Sequence, residues 1–356
     1  MAVLRLDEWT GEWVIFAPER RFRPMAAAHA GEPGRSTMRD APERDPNCDF
    51  CPGNESATPP ETQAWRPPGS APDSPGWLAR AVPNKFPALT RAGGVVLSAP
   101  AIEDVQTIGE GQGRTSSRRP EWTAAGGHEV IIECARHNAG FGWNLSEGEA
   151  ADALRLYRAR YLHWASQPGV AQIVIFKNHG AAAGASQPHT HAQLMALPFV
   201  PERVGRLMGG MKQTGTALGG CALCRLMADE QMSGERIVAR EDGFLVWAAW
   251  AGLYPYEIWI APLAHQSVFG QAGEDEAAAL GRVINRLVGR VNRVLDNPAY
   301  NLVLVDGPQA AAGSAHVHWH WRFVPKLTQI GGLEIATGTF INLVTPEEAA
   351  ARLRGS

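Results

Sequence analysis

The order of apolar and polar positions along this chain runs through the same sequence twice. Runs over 128–134 and 256–261 have the β-branched and aromatic content of strands. Ser146 and Glu149 match a capping box, which predicts a helix opening there and reaching about Trp164. Its counterpart is 274–295, where Leu280, Val283, Ile284, Leu287, Val291 and Leu295 recur at helical spacing. Two further apolar strands, 172–177 and 301–305, each run into a turn containing glycine. Each turn leads into alternating histidines, His189 with His191 and His318 with His320. Strand, helix, strand, turn and histidine-bearing strand is the order in both halves. The expected fold is α+β, built of two repeats at about 1–210 and 211–356, with their sheets packed or joined side by side. The segment 31–78 is rich in Pro, Gly and polar residues and reads as irregular chain that a metal could pin. The Gly/Ser/Arg-rich stretch 106–127 reads as a mobile loop.

The repetition extends to chemically active residues. Ala181-Ala182-Ala183-Gly184 is followed five residues on by His189, and Ala310-Ala311-Ala312-Gly313 five residues on by His318. His137 lies eight residues after Glu129, and His265 eight after Glu257. Ahead of these stand two C-x-x-C pairs, Cys48 with Cys51 and Cys221 with Cys224. Such a pair supplies two thiolates from one tight turn, and two histidines from a sheet complete a tetrahedron. The expected ligand sets are Cys48, Cys51, His137 and His189 for one zinc ion, and Cys221, Cys224, His265 and His318 for a second. In the second set His316 and His320 are also candidates for the fourth place. Four protein ligands leave no open position, so both ions would be structural.

Side chains alternate along a strand, so His191 shares a face with His189, and Gln193 points the same way. A neutral imidazole is a competent nucleophile, and the Gln193 amide can donate to an oxyanion. The Gly- and Ala-rich turn over 178–186 would let backbone amides, Gly184 and Ser186 approach a phosphate closely. This arrangement suits attack of His191 on phosphorus; by spacing alone His191 could equally be a spare ligand.

Composition narrows the partners. The 356 residues carry 33 Lys+Arg against 36 Asp+Glu, a net charge of -3, which gives no electrostatic reason to expect nucleic acid or an anionic membrane. No apolar run approaches the roughly 20 residues of a membrane span. The first residues have neither a basic nor an apolar signal region, so the expected compartment is the cytoplasm. Four of the five cysteines lie in C-x-x-C pairs, which in that compartment favours zinc over disulfides.

Asn178, Gly180, Ala181, Gly184, Ser186, Pro188, His189, His191 and Gln193, in this spacing, resemble the active-site signature of galactose-1-phosphate uridylyltransferases. That family belongs to the histidine-triad superfamily. The likeness continues at Thr10 to Val14 with Arg20 and Arg23, at Asn84 to Leu89, and at the first C-x-x-C pair. It implies two histidine-triad-like repeats, each an antiparallel sheet with a packed helix. It also implies that His191 carries the nucleotide covalently, that Gln193 holds the phosphoryl oxygens and that Ser186 contacts the departing or arriving phosphate. Asn84 and Asn178 would help seat the nucleotide, with Arg20 and Arg23 also at the substrate. Histidine-triad hydrolases usually carry a third His where Gln193 stands, so Gln favours transfer over hydrolysis.

Better-known members of the family bind a second metal through a Glu downstream of the active site, and the run after Gln193 places no Glu in register. Cys221 and Cys224, with 331–338, Ile341 and Asn342, instead resemble the ADP-glucose phosphorylase branch, which carries two cysteine–histidine zinc sites and transfers an adenylyl group to phosphate. Glu334 and Asn342 are the polar residues available in the C-terminal region that reads the hexose in the galactose enzymes. His320, flanked by Trp319 and Trp321 and followed by Arg322, is expected to pack rather than react. The expected partners are a nucleotide sugar and a sugar 1-phosphate or phosphate, and the expected assembly is a homodimer.

Overall fold

The structure, a computed structural model, describes residues 3–7, 9–16, 41–90 and 125–356. Arg20, Arg23 and most of the 106–127 stretch lie outside the described residues.

The first strands, β1 (Val3–Leu6) and β2 (Trp13–Phe16), form an antiparallel hairpin. Ten further strands make one continuous sheet. They are β3 (Gln63–Trp65), β4 (Ala79–Pro83), β5 (Gly127–Ile132), β6 (Gln172–His179) and β7 (His191–Leu197), then β8 (Ile237–Glu241), β9 (Phe244–Ala248), β10 (Ile258–Pro262), β11 (Tyr300–Val305) and β12 (His320–Pro325). A last strand, β13 (Phe340–Asn342), pairs in parallel with β2 and so ties the end of the chain to its beginning. The order in the large sheet is β3-β4-β5-β7-β6-β11-β12-β10-β9-β8, with every neighbouring pair antiparallel. Counted outward from the central β6–β11 pair, both sides run in the same chain order. The ten strands thus form one continuous sheet, and each expected strand lies within one or two residues of an observed one.

Helix α1 (Glu147–Ala165) joins β5 to β6; α2 (Glu202–Leu218) and α3 (Ala222–Ser233) lie between β7 and β8. Helix α4 (Glu274–Leu295) joins β10 to β11, and α5 (Gly332–Thr337) and α6 (Pro346–Arg354) flank β13. Helix α1 opens with the full capping box: the Ser146 hydroxyl accepts the Glu149 N–H, and Glu149 returns a bond to the Ser146 N–H. Helices α1 and α4 pack on one face of the sheet. Gly281 makes this approach possible, since a Cβ there would stand 2.1 Å from the Ala150 carbonyl oxygen. Leu154, Tyr157, Ile284 and Leu287 from the helices meet Ile175, Leu194, Ile260, Leu302 and Phe323 from the sheet in one buried cluster. With a period of two, the alternate residues of the same strands emerge on the other face, among them His191, Gln193, His320 and Arg322. Residue 210 falls inside α2, so the chain passes the expected repeat boundary as helix. Among the described residues no helix is long and apolar enough to cross a membrane.

Candidate active site and metal centres

Strand β6 ends in a short 3-10 turn, Ala181–Ala183, closed by Gly184 at φ +88°, where a glycine is favoured. The turn is stapled from β11. Asn301 Nδ2 donates to Asn178 Oδ1 at 2.8 Å and to the Ala183 carbonyl at 2.9 Å, and Asn178 Nδ2 reaches the Gly184 carbonyl at 3.4 Å. The chain then drops to His189, whose ring is fully buried.

There the first expected ligand set comes together. Cys48, Cys51, His137 and His189 have ligand atoms all within 4.8 Å of one another, and all four are buried. His189 Nδ1 lies 3.6 Å from both sulfurs, and His137 Nδ1 lies 3.4 Å from Cys51 Sγ. His189 Nε2–H donates to the Cys134 carbonyl at 2.9 Å, which leaves the Nδ1 lone pair facing the thiols. Burial pulls the His189 imidazolium down to about 4, so the ring is neutral, as a ligand must be. Burial likewise pushes the Cys48 thiol up to about 12; a bound cation would reverse that preference by favouring the thiolate. The Phe50 and Asp45 backbone N–H groups point at Cys48 Sγ and Cys51 Sγ, each at 3.4 Å.

The next residue, Thr190, faces a buried ionic group that sequence reasoning missed. Lys177 Nζ donates to Glu133 at 2.6 Å, to Thr190 Oγ1 at 2.9 Å and to the His191 carbonyl at 3.1 Å. The hydroxyls of Tyr157 and Thr190 donate to the same Glu133 carboxylate. A full set of hydrogen bonds is what allows such charges to be buried, and here it holds the Thr190 side chain and the His191 carbonyl.

His191 is 6% exposed and lines a cavity of about 340 Å³ with Phe50, Asn84, Lys85, Ser186 and Gln193. Its Nδ1–H donates to the His189 carbonyl at 2.8 Å, so the free lone pair is on Nε2. Burial, then the Lys177 charge, holds its pKa below the ordinary value and keeps the ring neutral. Phe50, carried on the Cys48–Cys51 loop, packs edge-on at 5.4 Å between ring centroids. The structure thus brings together His191, Gln193, Ser186 and Asn84. Asn178 and Gly184 shape the adjoining turn. Glu334 caps the Gly331 N–H of α5, and Asn342 bonds the Gly252 carbonyl from β13; neither lines the cavity.

The second set, Cys221, Cys224, His265 and His318, is gathered in the same way. Cys221 is the N-cap of α3, its sulfur accepting the Cys224 N–H at 3.4 Å. His318 Nδ1 lies 3.8 and 3.3 Å from the two sulfurs, and His265 Nδ1 lies 3.5 Å from Cys224 Sγ. His265 Nε2–H donates to the Ser314 carbonyl at 3.0 Å. Of the rival histidines, His316 Nδ1–H donates to the Gly220 carbonyl, and His320 is sealed from solvent. The His320 ring stacks on Trp259 at 4.5 Å and accepts Arg322 Nε at 3.2 Å.

Residues 2–201 match the galactose-1-phosphate uridyl transferase family, N-terminal domain. The chain is 32% identical to ADP-glucose phosphorylase of Arabidopsis thaliana over 354 residues, 99% of this chain and 92% of that one. It is 30% identical to galactose-1-phosphate uridylyltransferase of Thermotoga maritima over 235 residues, 64% of this chain and 73% of that one. The crystal structure of the Arabidopsis thaliana ADP-glucose phosphorylase with bound ADP-glucose superposes with a TM-score of 0.78 at 31% identity, covering 100% of this chain and 99% of that one.

Proposed function

The chain belongs to the galactose-1-phosphate uridylyltransferase family, and on that premise we propose that it is a nucleotidylyltransferase working through a covalent bond to His191. The observation that carries this reading is the His191 ring itself. Its Nδ1–H is committed to the His189 carbonyl, its Nε2 is unprotonated, and it lines the cavity beside Gln193 and Ser186. In the first step Nε2 attacks the α-phosphorus of a nucleotide sugar. A P–N bond forms, the bridging P–O bond breaks, and sugar 1-phosphate leaves with the bond electrons. In the second step a phosphate oxygen of the acceptor attacks the same phosphorus, the P–N bond breaks, and the imidazole regains its lone pair. Two displacements imply ping-pong kinetics. The Gln193 amide and Ser186 hydroxyl are placed to donate to phosphoryl oxygens as charge grows there.

We also read both Cys₂His₂ sets as structural zinc sites. Tetrahedral zinc with ordinary bond lengths sets S···N edges of about 3.5 Å, and those in the two clusters run from 3.3 to 3.8 Å. Bound zinc would pin the Cys48–Cys51 loop, and with it Phe50, to His137 and His189. The shared strand order on the two sides of the sheet supports two histidine-triad-like repeats, the first carrying the chemistry. For the acceptor, similarity to ADP-glucose phosphorylase over nearly the whole chain favours inorganic phosphate.

The test is incubation with ADP-glucose, UDP-glucose and other nucleotide sugars, each with phosphate, with hexose 1-phosphates, or with neither. Phosphorolysis of one nucleotide sugar is the expected outcome. Exchange with hexose 1-phosphate alone would move the acceptor assignment to the uridylyltransferase type, and hydrolysis without any acceptor would overturn the transferase reading.

A further inference from the structure

His128 stands on β5 one step from the Asn84 end of β4, and its neighbours fix its tautomer. The Ala88 backbone N–H donates to His128 Nδ1 at 3.1 Å, so Nδ1 holds the lone pair and Nε2 carries the hydrogen. That Nε2 lies 2.8 Å from Gln193 Oε1, which can only accept. Asn84 Nδ2, 3.1 Å from the same nitrogen, is then a neighbouring donor rather than a partner, because Asn84 Oδ1 is taken by the Phe86 N–H at 2.9 Å. A side-chain amide is nearly symmetric in shape, so only its hydrogen bonds decide which end faces a ligand. With Oε1 turned to His128, the Gln193 N–H₂ is left for the cavity that Gln193 lines. The reverse orientation would set a carbonyl oxygen against phosphoryl oxygens and repel them.

We propose that His128 is a positioning residue, which acts through Gln193 by locking its amide in the orientation that donates to the phosphoryl group. The proposal rests on the nucleotidyl-transfer reading above, in which Gln193 is the donor. Strand geometry supports the pairing: Val130 is directly opposite Gln193 across β5 and β7, so His128 is the diagonal neighbour on the same face. The same imidazole also anchors the Asn84–Ala88 loop that walls the cavity.

Two measurements test this. The first is a double-mutant cycle on the rate of nucleotide transfer. His128→Phe, which keeps a ring but removes the N–H, should lower kcat about 10- to 100-fold with little change in KM for the nucleotide sugar. His128→Gln, which restores an N–H donor, should recover most of that loss. In a Gln193→Ala background His128→Phe should cost nothing further. If it costs the same factor there, or if His128→Gln is as slow as His128→Phe while keeping wild-type metal content, the proposal fails. The second is ¹⁵N NMR of the imidazoles, which needs no turnover: His128 should be the Nε2–H tautomer, with its Nε2 signal shifted by Gln193→Ala. An Nδ1–H tautomer would overturn the proposal even if transfer is confirmed. A wild-type protein with this NMR signature but no transferase activity would instead fault the functional reading.

Discussion

The two sides of the ten-stranded sheet share strand order, a Cys₂His₂ grouping and an H-x-H strand, yet His191 lines a cavity while its counterpart His320 is sealed from solvent. The difference lies in a few positions at matching places in the register. Val130 faces Gln193 on the first side; on the second Trp259 faces Arg322. Trp259 fills the space against His320 that the first side leaves open beside His191, and the Arg322 guanidinium lies 4.5 Å from the Trp259 ring. Four residues before the first turn stands Lys177, which ties Glu133, Thr190 and the His191 carbonyl together. Four before Ala310, which opens the matching Ala-Ala-Ala-Gly run, stands Asp306, which accepts from Tyr161 and from the Phe269 N–H. The candidate metal clusters differ too: the first is buried throughout, whereas in the second only His318 is buried and His265 is exposed. A shared scaffold places the histidines; the cavity, the Gln193 amide and the network behind the strand set His191 apart from His320.

The largest expected contrast is between the two equivalent histidines. His191→Ala should lower nucleotide transfer by about four orders of magnitude or more, with metal content unchanged, while His320→Ala should leave the rate within about twofold. Comparable losses in both variants would break the asymmetry. Next in size are the metal ligands. Cys48→Ser should lose one zinc equivalent and lower stability by more than about 4 kcal/mol, as loss of a buried structural metal does. Cys221→Ser should also lose one equivalent at a smaller cost, and a chelator should strip the second cluster first; release from both at one rate would contradict the burial difference. Trp259→Val should cost about 3 kcal/mol in denaturant unfolding by opening a cavity, without slowing transfer.

The last contrast concerns Asp306. Burial raises its pKa from 3.8 to about 7. Between those values the folded protein holds a proton that the unfolded chain has released. This group's contribution is therefore most favourable below about pH 4 and is lost as pH rises toward 7. Asp306→Asn should flatten that part of the stability–pH profile, while a profile unchanged by the substitution would remove Asp306 as its source.

Helices α1 and α4 were legible in sequence because their apolar faces are regular and α1 carries a complete cap. That the two Cys/His groups come together was legible because spacing and duplication act together. Helix α2 was not: it holds Gly205, Gly209, Gly210 and Gly215, and its helical state comes from packing Leu207, Met208 and Met211 against the sheet. Cys221 and Cys224 read as a turn and prove to start a helix, because a Cys can cap it. The pairing of β13 with β2 joins segments over three hundred residues apart, which no local pattern encodes. His128 sat inside a strand already identified, but its role depends on Ala88, Asn84 and Gln193 meeting in space.

The most direct test of the central claim is to mix the protein with nucleotide sugar labelled in the α-phosphate, omit any acceptor, and map the labelled peptide. The account requires up to one acid-labile, base-stable phosphoramidate per chain, on His191, discharged when acceptor is added and absent from His191→Ala. Label on His320, or transfer that proceeds with no labelled histidine, would contradict it.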